Sequence, residues 1–317
     1  MVLEELLSRR LVFLTGKGGV GKSTVGLALA LAARERGKRV LLVEIDTPLE
    51  AARVLGRGPS GPSETEVLPG LSTLNLDPRG VMDEYVRRVV PTELLAGRVI
   101  DSPVYRRFFA AAPGLPDLML LGKIMTLEEA RDRWSRSPRY DLILVDAPAT
   151  GHGLSLLRVP LAASRAVPVG PIGHNARRII ALLRDPARTS LALVAIPEEM
   201  AVVEAIEFHR SVVRELGIHV SAVVLNACHE RRLSATQEGE VLRLAAAGAD
   251  GSLARGVRLR HALAAGRRQI RRRKLTAFYQ TRLKRALDLP LVSLPFLFDE
   301  EIDAGSIRTL ARRLEAA

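Results

Sequence analysis

Cysteine is almost missing from this chain: Cys228 is the only one among 317 residues. A single thiol excludes an internal disulfide, a CxxC zinc clasp and a cysteine-ligated cluster, so Cys228 reads as a small buried apolar side chain. Aromatic residues are also scarce, at 4% with one tryptophan. No apolar run approaches the roughly 18 residues that cross a bilayer. The N-terminal stretch MVLEELLSRRLVFLTG carries Glu4, Glu5, Arg9 and Arg10 and shows no signal-peptide organisation. These absences lead to the expectation of a cytoplasmic protein. The apolar content of 47% is that of a globular chain able to build a sizeable core.

Acid is missing from one segment. Gly251 to Leu287 holds 12 Lys and Arg and no Asp or Glu. The rest of the chain is balanced, with 35 basic and 35 acidic residues, so this segment carries the whole net charge of +12. Its apolar residues (Leu259, Leu263, Ile270, Leu275, Phe278, Leu283 and Leu287) recur at helical intervals, which predicts an amphipathic helix. Such a face is either a solvated Arg-rich surface or a contact for an anionic membrane, nucleic acid or an acidic partner. Nucleic acid is disfavoured as a single-strand ligand because Phe278 and Tyr279 are not part of a repeated basic–aromatic pattern.

What is present is concentrated between Gly16 and Thr24, GKGGVGKST. The apolar run Leu11–Thr15 precedes it and a helix-like stretch follows, the setting in which G-x-x-x-x-G-K-[ST] is a phosphate-binding loop. The glycines let several backbone N–H groups face one anion, and the helix N-terminus adds partial positive charge. Gly16, Gly18, Gly19, Val20, Gly21, Lys22, Ser23 and Thr24 are therefore the expected nucleotide-binding residues. Lys22 would reach the β- and γ-phosphates and Ser23 would ligate Mg²⁺.

Lys17 is not required by an ordinary phosphate loop. With it, the loop resembles the deviant P-loop of the dimeric ATPases, which include the partitioning, division-site-placement, nitrogenase-iron-protein, arsenite-pump and tail-anchored-protein-targeting families. The resemblance implies ATP and ADP as ligands and a dimer in which Lys17 reaches the partner's nucleotide.

Apolar runs bounded by turn residues predict strands near 11–15, 39–45, 71–76, 141–146, 191–196, 220–226 and 290–295. Helices are predicted over 22–36, 80–90, 104–112, 122–135, 152–158, 173–184, 198–216, 234–247, 256–286 and 304–315. The alternation implies an α/β fold, a mostly parallel sheet with helices on both faces, and with the phosphate loop it leads to the expectation of a P-loop NTPase. Residues 1–317 read as one ATPase domain, with 79–138 as an inserted helical subdomain.

Ligands in such sheets gather at the carboxyl ends of strands, where Gly16, Asp46 and Asp146 fall. Asp146 ends Leu142–Val145 and fits the acid that supports the Mg²⁺ shell. Asp46 is placed to orient the attacking water, with Glu44 as the competing acid on the same strand and a helix N-cap as the reading without chemistry.

The stretch Asp146 to Pro160, DAPATGHGLSLLRVP, resembles the second switch of the arsenite-pump (ArsA) and tail-anchored-protein-targeting (Get-type) ATPases. Ile45-Asp46-Thr47-Pro48 resembles their first switch with a departure from the usual Asp-Pro-Ala-His. Ile196-Pro197-Glu198-Glu199 resembles their Pro-Glu loop, and Val224-Leu225-Asn226 and Leu294-Pro295-Phe296-Leu297 resemble their adenine-side elements. The resemblance implies that Thr150 and Gly151 sense the γ-phosphate and that Asn226 reads the adenine edge beside Pro295 and Leu297; His152 either braces the switch through a local hydrogen bond, the favoured reading, or acts directly in catalysis. Pro113 to Ile124 resembles a segment of the single-loop bacterial members, for which homodimers and heterodimers with a related ATPase are both expected. Leu115, Leu118, Met119, Leu120, Leu121, Ile124 and Met125 form either ordinary helix core or one wall of a groove for a hydrophobic helix client. The competing reading is a ParA/MinD-like positioning ATPase that docks on membrane or DNA through the basic segment 251–287.

Overall fold

The computed structural model describes residues 2–45, 50–57, 63–105, 107, 112, 114–132, 134–249 and 257–316. Its centre is an eight-stranded sheet: β1 (Leu11–Thr15), β2 (Val40–Ile45), β3 (Thr65–Leu68), β4 (Leu71–Leu76), β5 (Leu142–Asp146), β6 (Thr189–Ala195), β7 (Val220–Cys228) and β8 (Leu291–Pro295). The spatial order is β3-β4-β2-β5-β1-β6-β7-β8. All neighbours run parallel except β3, which pairs antiparallel with β4 at the edge.

The continuous apolar runs follow from burial on both faces, because a strand covered by helices above and below has no polar side to show. Leu11, Phe13, Leu41, Val43, Ile143, Val145, Leu191 and Leu193 pack into one core. Val12, Leu14, Val40, Leu42, Leu142, Leu144, Ala192 and Val194 pack into the other. The period of two divides each strand between the two faces.

Helix α1 (Val2–Leu7), α2 (Lys22–Glu35), α3 (Glu50–Val54) and α12 (Ala304–Glu315) cover the second core. The first is covered by α4 (Pro78–Val89), α6 (Leu115–Glu129), α7 (Thr150–Ala166), α8 (Gly170–Arg184), α9 (Glu199–Ser211) and the distal half of α11 (Val257–Ala286). Helices α5 (Glu93–Asp101) and α10 (Ala235–Ala249) lie further out, against α4 and α11 respectively.

Several boundaries differ from the sequence expectation. β3 was not anticipated because only Val67 of its residues is buried, so it has no apolar run. The helix expected over 122–135 starts at Leu115 and stops at Glu129, and the chain then folds back so that Arg131 bridges Pro138. The helix expected over 152–158 spans 150–166 and contains Pro160. Helix α9 continues through a wide turn at Val212–Leu216, which Gly217 ends at φ +66°. Most of the helix expected over 104–112 lies outside the described residues. Of the candidate groove wall, Leu118, Leu120, Leu121, Ile124 and Met125 are buried in the sheet core, so these side chains serve packing.

Candidate nucleotide site

The phosphate loop follows β1 and opens α2, and two close approaches explain its glycines. A Cβ on Gly16 would lie 2.0 Å from the carbonyl oxygen of Val194 on β6, inside any van der Waals contact. Gly21 sits at φ +83°, a left-handed conformation that L side chains rarely adopt, and a Cβ there would lie 2.5 Å from Asn226 Nδ2. Gly21 is also the N-cap of α2 and has no side chain to satisfy the helix's first N–H groups. Those donors, with the helix dipole behind them, face the loop and suit an anion.

Within the loop, Lys22 Nζ reaches back to the carbonyl oxygen of Lys17 at 3.4 Å. Burial lowers the Lys22 pKa, and the nearby Asp146 carboxylate opposes that shift. Asp146 is almost fully buried at the end of β5, where burial raises its pKa against the pull of Ser23 and Lys22. Ser23 Oγ donates to Asp146 Oδ2 at 2.5 Å, which turns the hydroxyl lone pairs away from the carboxylate. Asp146 Oδ1 is buried and has no protein partner. An unpartnered anionic oxygen beside a serine hydroxyl is costly alone and fits a hard divalent cation, so the donor set here suits Mg²⁺.

The second switch closes the other side. Thr150 N donates to the carbonyl oxygen of Gly16 at 3.1 Å, and Thr150 Oγ1 donates to Glu204 Oε2 at 2.9 Å. Helix α7 begins at Thr150 behind Ala149, which offers no side-chain cap, so a second helix N-terminus points toward the site. A cavity of about 260 Å³ runs between Lys22, Ser23, Asp146, Ala149, His152 and Asp117. His152 is exposed, with Nε2 3.8 Å from Asp117 Oδ1 on α6, a separation suited to an ion pair when His152 is protonated. Burial raises the pKa of Asp117, and His152 opposes it. Asp117 was not picked out from the sequence; the quoted Pro113–Ile124 segment held it, and α6 delivers it to the cavity.

Lys17 and Asn226 occupy the rim. Lys17 Nζ forms an ion pair with Glu204 Oε1. Asn226 Nδ2 donates to the carbonyl oxygen of Val20 at 3.0 Å, bracing the loop from β7. Ala227 adopts a left-handed φ of +54° and the β7–β8 register shifts between Leu225 and Cys228, a bulge that aims Asn226 across the sheet end. Pro295 on β8 pairs with Cys228 on β7, and Phe296 stacks on His229 at 4.8 Å. Leu297 packs against the α2-side core. An open groove of about 970 Å³ extends from Gly19, Gly21 and Thr24 past Val54 to Ile302 and Asp303. Asp46 lies outside the described residues; Glu44, the competing acid, is buried on β2 and accepts from Ala51 N at 3.4 Å. Glu198 stands at the N-cap position of α9 without a side-chain capping hydrogen bond, and Glu199 begins the helix.

A strand, a phosphate loop with a half-buried lysine, a serine–aspartate pair and a mostly parallel sheet define a P-loop NTPase. Residues 9–169 match the family model described as anion-transporting ATPase (ArsA). The chain is 31% identical over 329 residues to ATPase BagA of Mycobacterium tuberculosis, covering 96% of this chain and 92% of the relative. It is also 31% identical over 233 residues to an arsenical pump-driving ATPase of Acidiphilium multivorum, and 30% over 238 residues to one of Escherichia coli. The matched region is 68% of this chain and 39% of each pump-driving ATPase. The chain belongs to the ArsA family, and it is an ATPase.

Proposed function

We propose that the chain works as a Mg²⁺-dependent dimeric ATPase that hydrolyses ATP to ADP and phosphate and uses the cycle to switch between open and closed dimers. The observation that carries this reading is the meeting of Lys22, Ser23 and Asp146 around one cavity, with Thr150 bonded to the phosphate loop at Gly16 and, like Lys17, to Glu204. Gly16 to Thr24 would wrap the phosphates with backbone N–H groups, and Lys22 would neutralise the β- and γ-phosphate oxygens. Ser23 and the free oxygen of Asp146 would hold Mg²⁺, which would supply charge neutralisation on the phosphates. Asp46 would align the attacking water and Lys17 would complete the partner's site. Thr150 and Gly151 would register the γ-phosphate, and Asn226, Pro295 and Leu297 would border the adenine. Lys22→Ala should abolish nucleotide-dependent dimer closure, measured by light scattering with a non-hydrolysable ATP analogue. Asp46→Asn should bind ATP and fail to turn it over; normal turnover would remove Asp46 from that role.

What the switch moves is read from the helical insertion between β4 and β5. With five of the α6 apolar residues buried, the exposed apolar side chains among the described residues there include Tyr85, Val89, Leu94, Leu95, Val99, Val104 and Trp134, the first five beside the small cluster Val86, Ala96 and Ile100. That surface suits an apolar helix as client. Nucleotide-independent binding, or no binding, of hydrophobic helices by the dimer would reject this use.

A second reading is favoured by α11. Arg267, Arg268, Arg271 and Lys274 surround Leu275 and the 59% exposed Phe278 in an open groove against Leu242 of α10. A basic face with apolar anchors suits peripheral docking on an anionic membrane. Sedimentation with vesicles containing phosphatidylserine, compared with neutral ones and repeated at high salt, decides it.

A further inference from the structure

Glu204 is a surface carboxylate on α9 that makes two contacts at the site. One oxygen pairs with Lys17 of the phosphate loop and the other accepts the hydroxyl of Thr150 in the second switch at 2.9 Å. Lys17 and Thr150 also frame the loop's ends, because Thr150 N holds Gly16 O while Lys17 O receives Lys22. The ion pair keeps the Glu204 carboxyl below its ordinary pKa, with burial opposing and Thr150 adding to the effect.

We propose that Glu204 is a positioning residue that parks Lys17 within its own subunit, so that Lys17 reaches across a dimer interface only when this pair opens. The proposal rests on the reading above in which Lys17 serves the partner's nucleotide. The physical basis is a competition for one ammonium. Lys17 carries one positive charge, and phosphates of a second subunit would draw it away from its own Glu204. Exchange toward a triphosphate is favoured by the larger negative charge, and the Glu204 pair sets the threshold. Because Thr150 hydrogen-bonds the same carboxylate, any movement of the second switch toward a γ-phosphate takes away one of the two groups that orient Glu204. Phosphate sensing and lysine release are thereby joined through a single side chain.

The size of the effect follows from exposure. The Lys17 and Glu204 side chains are 37% and 28% exposed, so the pair is solvent-screened and worth up to about a fivefold change per site. Two such pairs open in a two-fold dimer, giving up to about 25-fold in the association constant.

The test uses the full chain in analytical ultracentrifugation, over a range of protein concentrations, with Mg²⁺ and a non-hydrolysable ATP analogue. Glu204→Gln removes the charge and retains an acceptor for Thr150. It should lower the concentration for half-dimerisation by about 2- to 25-fold, while Glu204→Asp stays near wild type. In a Lys17→Ala background the Glu204→Gln gain should disappear, since the effect runs through Lys17 alone. A Glu204→Gln midpoint at or above that of wild type would overturn the proposal and place Glu204 in the closed dimer. A gain that persists without Lys17 would overturn it too, by assigning the effect to Thr150. If wild type and Glu204→Gln both stay monomeric while binding the analogue, the parking role falls together with the dimer reading. A wild-type protein that dimerises and a silent Glu204→Gln would sink the parking role alone.

Discussion

The sheet end opposite the phosphate loop holds a buried charge cluster whose removal has a calculable consequence. Glu128, at the end of α6, is 0% exposed. Its Oε1 lies 3.2 Å from Arg10 Nη1 and 3.3 Å from Arg188 Nε, and its Oε2 pairs with Arg188 Nη2. Arg10 precedes β1 and Arg188 precedes β6, so one carboxylate pins α6 to two central strands. Glu128→Ala leaves two guanidinium groups facing the space the carboxylate filled. Breaking a fully buried pair costs about 3–5 kcal/mol. Here the arginine side chains are 24% and 37% exposed and recover part of their hydration, which brings the expected loss to about 2–4 kcal/mol.

For a chain of 317 residues that loss corresponds to a melting temperature lowered by about 3–6 °C. Calorimetry at neutral pH measures it, and Glu128→Gln, which keeps the volume and one acceptor, should lose about half as much. The deficit should persist in 1 M salt because buried charges are poorly screened. ATP turnover well below the melting point should remain at the wild-type rate, since the cluster lies at the far end of the strands from Lys22. A drop below about 1 °C, or one that vanishes in high salt, would refute the assignment of Glu128 as a buried pin and reduce it to a surface pair.

Three further outcomes are expected. Gly16→Ala should destabilise the fold by at least about 1–3 kcal/mol and abolish nucleotide binding by titration calorimetry, because its Cβ would strike Val194 O, whereas Gly18→Ala, whose Cβ meets nothing within 4 Å, should fold normally. Asp146 has a raised pKa, so the folded nucleotide-free chain keeps a proton that the unfolded chain has lost; stability should fall as pH rises from about 3.9 through the raised value, and Asp146→Asn should remove that part of the slope in pH-dependent melts while losing Mg²⁺-dependent turnover. Burial pushes the Cys228 thiol up to about 11, so it should react with an aromatic disulfide reagent at pH 8 only after unfolding, and prompt labelling of the native protein would contradict its packing.

The phosphate loop, Asp146 at its strand end and the α/β alternation were legible in the sequence because each is a local signal. A glycine-rich turn between strand and helix needs only neighbouring residues to declare itself, and an unbroken apolar run declares a strand covered on both faces. The helix over 257–286 was equally plain, since its apolar spacing survives a heavy load of arginine. Edge strand β3 stayed hidden because a strand with one buried residue carries no period. The partners that give the site residues their chemistry were beyond reach. Lys17 and Glu204 are separated by 187 positions, Ser23 and Asp146 by 123, and Asn226 and Val20 by 206. Nothing in the local chain marked Ala227 as the left-handed residue that turns Asn226 over the loop, or Glu128 as a buried charge rather than a solvated one. Local sequence sets backbone conformation and which faces are apolar, whereas charge pairing and burial depend on which strands become neighbours. That order, β2-β5-β1-β6-β7 across the centre, is a property of the assembled sheet, and it alone brought these side chains together.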